Sequence, residues 1–368
     1  MSTPEPQPAP VHDGRRLDWF RRLDPRSLSY PVAAGPDTAL PTRGRLWPAG
    51  RILDQGREGA CVGAGCVAEA AAEPVPVPGL SMRNALAWYR SAQRRDQWPG
   101  EAYDGTSVLA GCLEGRARQL YAGFLWAKRA EQLAAGIVAS EEEGGGPAII
   151  GVEWTEGAYE TDTLGVLRPS GAVVGGHCVC VLGFVPADLS GMSEDDAAEL
   201  LQQLEDVRLG AAVESVLADG EAGAFIVQNS WGLSFGKNGL CVVPLSVMGY
   251  WARTGWEAAQ PQGRTLPGRK GTAVTAVPED LEQNLVVEPV DESVDPDDGD
   301  TTLHILATQV LEGDRILDPP DELGQESVTV RGTPRLVLDH RGRRVVVNSR
   351  VGTFTLNAGA AVTVRRQQ

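Results

Sequence analysis

The stretch that most constrains this chain runs from Leu53 to Ala71, where a loop ends on a cysteine that opens an alanine-rich segment. Leu53-Asp54-Gln55-Gly56-Arg57-Glu58-Gly59-Ala60 is loop-like, and residues 59–72 read as a helix that Pro74 stops. A thiol in the first helical turn lies at the positive end of the macrodipole, which favours thiolate over thiol. Gln55 carries an amide able to donate to a developing oxyanion, and the flanking glycines let backbone N–H groups approach the same place. A second reading makes Cys61 a small buried hydrophobe on an alanine face, like Cys66 five residues later. Groups further along the chain decide between the two.

Gly175-Gly176-His177-Cys178-Val179-Cys180-Val181-Leu182-Gly183-Phe184 puts a histidine at the start of a long apolar strand. Alternation places Val179 and Val181 on the histidine's side, with Cys178 and Cys180 opposite. Ala224-Phe225-Ile226-Val227-Gln228-Asn229-Ser230-Trp231-Gly232 is a further strand that ends on an asparagine. Thiol chemistry on acyl groups needs an imidazole to take the thiol proton and later protonate the leaving group. A side-chain amide oxygen then holds the other ring N–H, and an indole such as Trp231 shields that bond from water. Singly, His177 reads as a core histidine, Asn229 as a turn residue and Trp231 as core. Occurring together in the order Gln55, Cys61, His177, Asn229, they point to an assembled nucleophilic site.

Asp54-Gln55-Gly56…Cys61, Gly176 to Phe184, and Phe225 to Gly232 with Gly236, Asn238 and Gly239 resemble the three signature blocks of the papain-like cysteine peptidases. Gly146-Pro147-Ala148 is similar to that family as well, and the likeness spans about residues 46–250. The resemblance implies Cys61 as nucleophile, His177 as general base and acid, Asn229 as the orienting residue, and Gln55 with the Cys61 N–H as oxyanion hole. It also implies substrate contacts at Gly105, Gly176 and Trp231, hydrolysis of a peptide bond through a thioester, a protein or peptide substrate, and no cofactor or metal. Glu58 stands where the family carries a cysteine, which removes a disulfide typical of secreted members. Val62 replaces the tryptophan that usually follows the nucleophile, so looser packing is expected beneath the site. His177 follows Cys61 by 116 residues, and Asn229 follows His177 by 52, a gap lengthened by an insertion at 186–222. No stretch resembles an inhibitory propeptide, although residues 1–45 could lie in a cleft. The resemblance is to a bacterial or phage type of member.

The fold expected is α+β: a two-lobed papain-like body, with a helical lobe and a β-barrel-like lobe, and a small C-terminal β module. Residues 1–45 read as a Pro-rich extension and 46–262 as the peptidase domain. Residues 263–300 read as an acidic Pro/Gly-rich linker and 301–368 as the β module, which offers a surface for a partner protein. Helices are expected from Ser81 to Arg95, from Ser107 to about Arg118, and in the insertion from Ser193. Strands are expected at 148–154, 164–167 and 172–174. A net charge of −16 argues against nucleic acid or an anionic membrane as partner. Four scattered histidines (12, 177, 304 and 340) give no zinc ligand set, and six cysteines without a paired spacing fit free thiols in a reducing compartment. With no apolar membrane span and no apolar core near the N-terminus, the expected location is a bacterial cytoplasm, a phage virion or an infected cell. Two other classes remain: an inert papain-fold structural or binding protein, and another thiol acyltransferase or amidase.

Overall fold

The computed structural model describes residues 37–98 and 103–264 without a break, isolated positions before them including 15–17 and 19, and strands between 290 and 367. The Pro-rich residues 1–10, the 265–289 part of the expected linker, and His340 lie outside the described residues. The chain divides into two compact units, Met1–Pro278 and Glu279–Gln368.

The first unit begins with the short strands β1 (Val11–His12), β2 (Arg15–Arg16) and β3 (Arg45–Leu46). Next come α1 (Cys61–Ala71), α2 (Met82–Gln93), α3 (Val108–Ala117), β4 (Tyr121–Trp126), α4 (Ala130–Val138), β5 (Ala148–Thr155) and β6 (Val173–Pro186). The insertion supplies α5 (Glu194–Asp206) and α6 (Gly210–Ala218), after which β7 (Gly223–Gln228), β8 (Leu240–Pro244), α7 (Leu245–Thr254) and β9 (Glu257–Arg264) complete the unit. The helix starts follow their caps. Ser81 and Asn84 form a reciprocal capping box at α2, Ser107 accepts from the Ala110 N–H at α3, and Ser193 accepts from the Asp196 N–H at α5.

Six strands pair antiparallel in the order β4-β9-β5-β6-β7-β8, with β3 added on β6. Among the described residues this seven-stranded sheet is open, so the barrel-like lobe expected from the resemblance is corrected to an α+β body with an open sheet. The ladder ends at β4 and β8 rather than closing. Residues 164–167 form no strand; a single bridge from Val166 to Val242 is all the pairing they make, because Asp162 folds them into a turn by accepting from the N–H groups of Leu164, Gly165 and Val166. Val173 and Val174 belong instead to the start of β6, so His177 is the fifth residue of its strand.

The sheet sorts its side chains by alternation. Val152, Val179, Val181 and Val227 join one core with Leu133 and Ile137 of α4 and Met248 and Trp251 of α7. On the other face Cys178 packs with α1, α2 and α3, while Cys180 and Leu182 meet Leu200, Leu204 and Val213 of the insertion. The insertion therefore covers a sheet face. A Cβ at Gly65 would lie 2.9 Å from the Cys178 sulfur, so the missing side chain is what lets α1 rest directly on β6. At the far end of α1 buried Glu69 pairs with Arg264 of β9. Burial pushes its carboxyl up and the guanidinium opposes that. Val62, where a tryptophan was expected, is buried beside Gly111 of α3.

In the second unit β10 (Val290–Val294), β11 (Asp300–Leu306), β12 (Arg315–Ile316), β13 (Val328–Thr329) and β17 (Ala361–Gln367) form one sheet in the order β10-β11-β17-β12-β13. β14 (Arg335–Asp339), β15 (Gly342–Ser349) and β16 (Gly352–Asn357) form a second. Part of the expected linker is thus β10, drawn into pairing with β11 despite its acidic composition.

Candidate active site

Three connections gather the sequence-separated groups. The loop before α1 pairs with the stretch after β7: the Gln55 N–H donates to the Ser230 carbonyl (2.8 Å) and the Gly232 N–H to the Leu53 carbonyl (2.9 Å). Adjacent strands set His177 beside Asn229, since β6 pairs with β7 at Cys180 and Gln228. Helix α1 meets β6 at Cys178, the residue after His177, and a charged Cys61 is near enough to raise the Cys178 thiol further above the level burial gives it.

Cys61 is the first residue of α1, preceded by Ala60, which contributes no side-chain cap. The helix N-terminus therefore keeps its backbone N–H groups and its positive dipole end for whatever charge forms on the sulfur. His177 Nε2 and Asn229 Oδ1 are 2.8 Å apart. The same oxygen accepts from the Ser230 N–H at 2.7 Å, which leaves the amide oxygen aimed at the ring and assigns the Nε2 proton to the histidine. His177 Nδ1 has no hydrogen-bond partner among the described residues. It is the ring nitrogen left to take a proton.

An aromatic nest encloses the imidazole. Trp231 stacks on it (centroids 4.7 Å, 26° between planes) and Trp154 meets it edge-on (4.7 Å, 70°). Tyr159 stacks in turn on Trp231 at 5.5 Å. Removal from water is the largest influence on the ring and favours its neutral form. The Asn229 bond opposes this, the nearby Arg15 charge reinforces it, and the His177 pKa falls to about 4. Cys66, Cys112, Cys178 and Cys180 are pushed well above the ordinary thiol value by burial, and Cys241 to about 12. Those five thiols are packing groups.

Gln55 is held on both sides of its amide. Its oxygen accepts from the Ser230 hydroxyl (2.5 Å), and its nitrogen donates to the Glu58 carbonyl (2.9 Å) and the Arg16 carbonyl (3.2 Å). An N–H at this position already binds a backbone carbonyl oxygen. The Gly176 carbonyl accepts from the Trp19 N–H at 3.0 Å, and Arg15 lies 4.8 Å over the Trp231 ring. Gly105, with φ +103°, turns its N–H to the Tyr89 hydroxyl (2.8 Å), and the next residue, Thr106, bridges to Trp19. The left-handed turn at Gly105 directs its amide toward α2, and Thr106 is the residue that pairs with Trp19. Asp96 fixes this loop by accepting from the hydroxyls of Thr106 (2.7 Å) and Tyr103 (2.8 Å), and burial pushes its carboxyl up to about 6.

Trp154, Ser230, Glu257 and Trp19 were not among the residues expected from the sequence. The period-2 run Ile150, Val152, Trp154 could have placed Trp154 on the histidine's side of the sheet, and Ser230 lies inside the asparagine block. Glu257 and Trp19 carry no local signal.

No protein-family profile and no curated protein matches the chain. Among solved structures it resembles xylellain, a cysteine protease from Xylella fastidiosa (15% identity, TM-score 0.42, covering 67% of this chain and 95% of that one). It also resembles a recombinant stem bromelain precursor (14%, 0.41, 64% and 76%) and a cysteine protease of Carica candamarcensis (15%, 0.37, 61% and 100%). All are papain-like cysteine proteases. No described helix is long and apolar enough to cross a membrane.

Proposed function

We propose that the chain is a papain-like cysteine peptidase. The observation that carries this reading is the buried His177–Asn229 contact at 2.8 Å, with Nδ1 left without a partner, in a body where Cys61 opens the helix packed on the same strand. In the proposed reaction His177 Nδ1 takes the Cys61 proton and the thiolate adds to a peptide carbonyl carbon. The Gln55 Nε2–H and the Cys61 backbone N–H receive the oxyanion. Collapse expels the amine, which takes its proton from His177, and leaves a thioester that water hydrolyses with His177 again as base. No cofactor enters these steps, and the substrate is a protein or peptide. Location in a cytoplasm or a particle, and a partner for the C-terminal module, remain part of the same proposal.

A second reading, an inert papain-fold binding component, is favoured by one observation: Cys61 and His177 are both 0% exposed. Alkylation and cleavage separate the two. Iodoacetamide should modify Cys61 at least about a hundredfold faster than Cys66 or Cys112 in a chain whose site is opened by Trp19→Ala. A peptide library should be cut by that chain and left intact when Cys61→Ala is added. Equal slow labelling of all thiols together with no cleavage would favour the inert component.

A further inference from the structure

Residues near the N-terminus lie against the groups around His177 and Gln55. Arg15 lies over Trp231 and donates to the Tyr159 carbonyl (3.1 Å). Arg16 places its carbonyl on Gln55 and its guanidinium on Asp104 (2.8 Å), and Leu17 is buried in the core that contains Trp154. Trp19 then bridges Thr106 and donates its N–H to Gly176. Its indole Nε1–H donates to Glu257 Oε2 at 2.8 Å, a buried carboxylate oxygen that also accepts from the Val108 N–H at 2.7 Å. Two glycines make the space: a Cβ at Gly151 would overlap the indole, and one at Gly176 would overlap the Trp19 backbone. A flat slot between two side-chain-free strand positions, closed by a fixed carboxylate, suits one kind of group.

We propose that this slot is a recognition pocket for a flat aromatic side chain that donates an N–H, and that Trp19, with Arg15 and Arg16 bound close by, fills it in cis in the resting chain. The ligand class is therefore a peptide bearing tryptophan, or a similar ring N–H donor, at the position that reaches Glu257. A ring of equal size without the N–H fills the slot but leaves the carboxylate without that hydrogen bond. The segment excludes a competing peptide because, tethered to the same chain, it acts at an effective concentration that a free peptide must exceed. The proposal deepens the peptidase reading, since Trp19 is bonded to Gly176 beside His177, but its test does not require that Cys61 react.

The test uses the full chain carrying Cys61→Ala, so that nothing is cleaved. The probe is an acetylated, amidated peptide with the sequence of residues 15–21, Arg-Arg-Leu-Asp-Trp-Phe-Arg, beside a version with 2-naphthylalanine in place of the tryptophan. With Trp19→Ala added, calorimetry should show the tryptophan peptide binding about tenfold to a hundredfold tighter than the naphthyl peptide. Isosteric Glu257→Gln should narrow that ratio, and Gly151→Ala should weaken both peptides alike. With Trp19 intact, both should bind at least about tenfold more weakly. Equal affinity for the two peptides would overturn selection by Glu257. Equal affinity of the chains with and without the Trp19→Ala substitution would overturn occupation in cis. Cleavage by the Cys61 chain that persists alongside either result would leave the peptidase reading standing.

Discussion

His177 and Cys178 are neighbours on β6, face opposite sides of the sheet and are both fully buried, yet their surroundings differ in kind. Burial neutralises each: it lowers the imidazole to about 4 and raises the thiol well above its ordinary value. The difference lies in the partners. His177 has an amide oxygen fixing one nitrogen, two indoles excluding water, and a second nitrogen without a partner. Cys178 has a helix pressed on it at Gly65. Burial by itself therefore marks no functional residue; directed hydrogen bonds within the buried space do.

The largest expected contrast is between Cys61 at the start of α1 and Cys178 on this strand. In the Trp19→Ala chain, Cys61→Ala should cut peptide hydrolysis by about a thousandfold or more, while Cys178→Ala should change it only a few-fold, read as kcat/KM on one peptide. A comparable loss from both would erase the distinction between the faces.

The second contrast concerns protons. An imidazole held at about 4 against an ordinary 6.5 stays neutral in the native chain while the unfolded chain takes up a proton. Its contribution to stability is present above about pH 6.5 and is lost as pH falls toward 4, by about 3 kcal/mol in all. Asp96, raised to about 6, acts with the opposite sign over part of this range. Urea unfolding of the wild type should therefore be compared with His177→Gln at each pH, where the Asp96 contribution is common to both. A difference between the two that does not change from pH 7 to pH 4 would contradict the burial of the ring.

Removing the Asn229 amide comes next. Asn229→Ala should lower kcat/KM by about tenfold to a hundredfold, because one buried hydrogen bond is lost and the ring tautomer is no longer fixed. The smallest effect tests the packing face: Gly65→Ala should cost about 1–2 kcal/mol of stability by crowding the Cys178 sulfur, and Cys178→Ala added to it should recover part of that loss. Additive losses would show that α1 and β6 do not meet where the geometry puts them.

Much of this arrangement was legible beforehand, and the reasons are local. An alanine-rich run after a glycine loop specifies α1, serine caps specify the starts of α2, α3 and α5, and β-branched runs specify β5, β6 and β7. Strand alternation alone divides His177 from Cys178. Less was legible after β8, where α7 and β9 follow without a strong cap or period, and in the open sheet, whose strand order depends on which strands find each other.

The sequence by itself determined the residue types of the candidate site and their order, because the helix start bearing Cys61 and the strands bearing His177 and leading to Asn229 are specified by local residue pattern. Only the tertiary structure decided what surrounds them: Trp154 against the ring, Ser230 holding Gln55, and Glu257 receiving an indole from 238 residues earlier in the chain. Those contacts join segments with no local relationship. Their energies come from excluding water and closing hydrogen bonds across the fold, and neither exists until the sheet has been assembled.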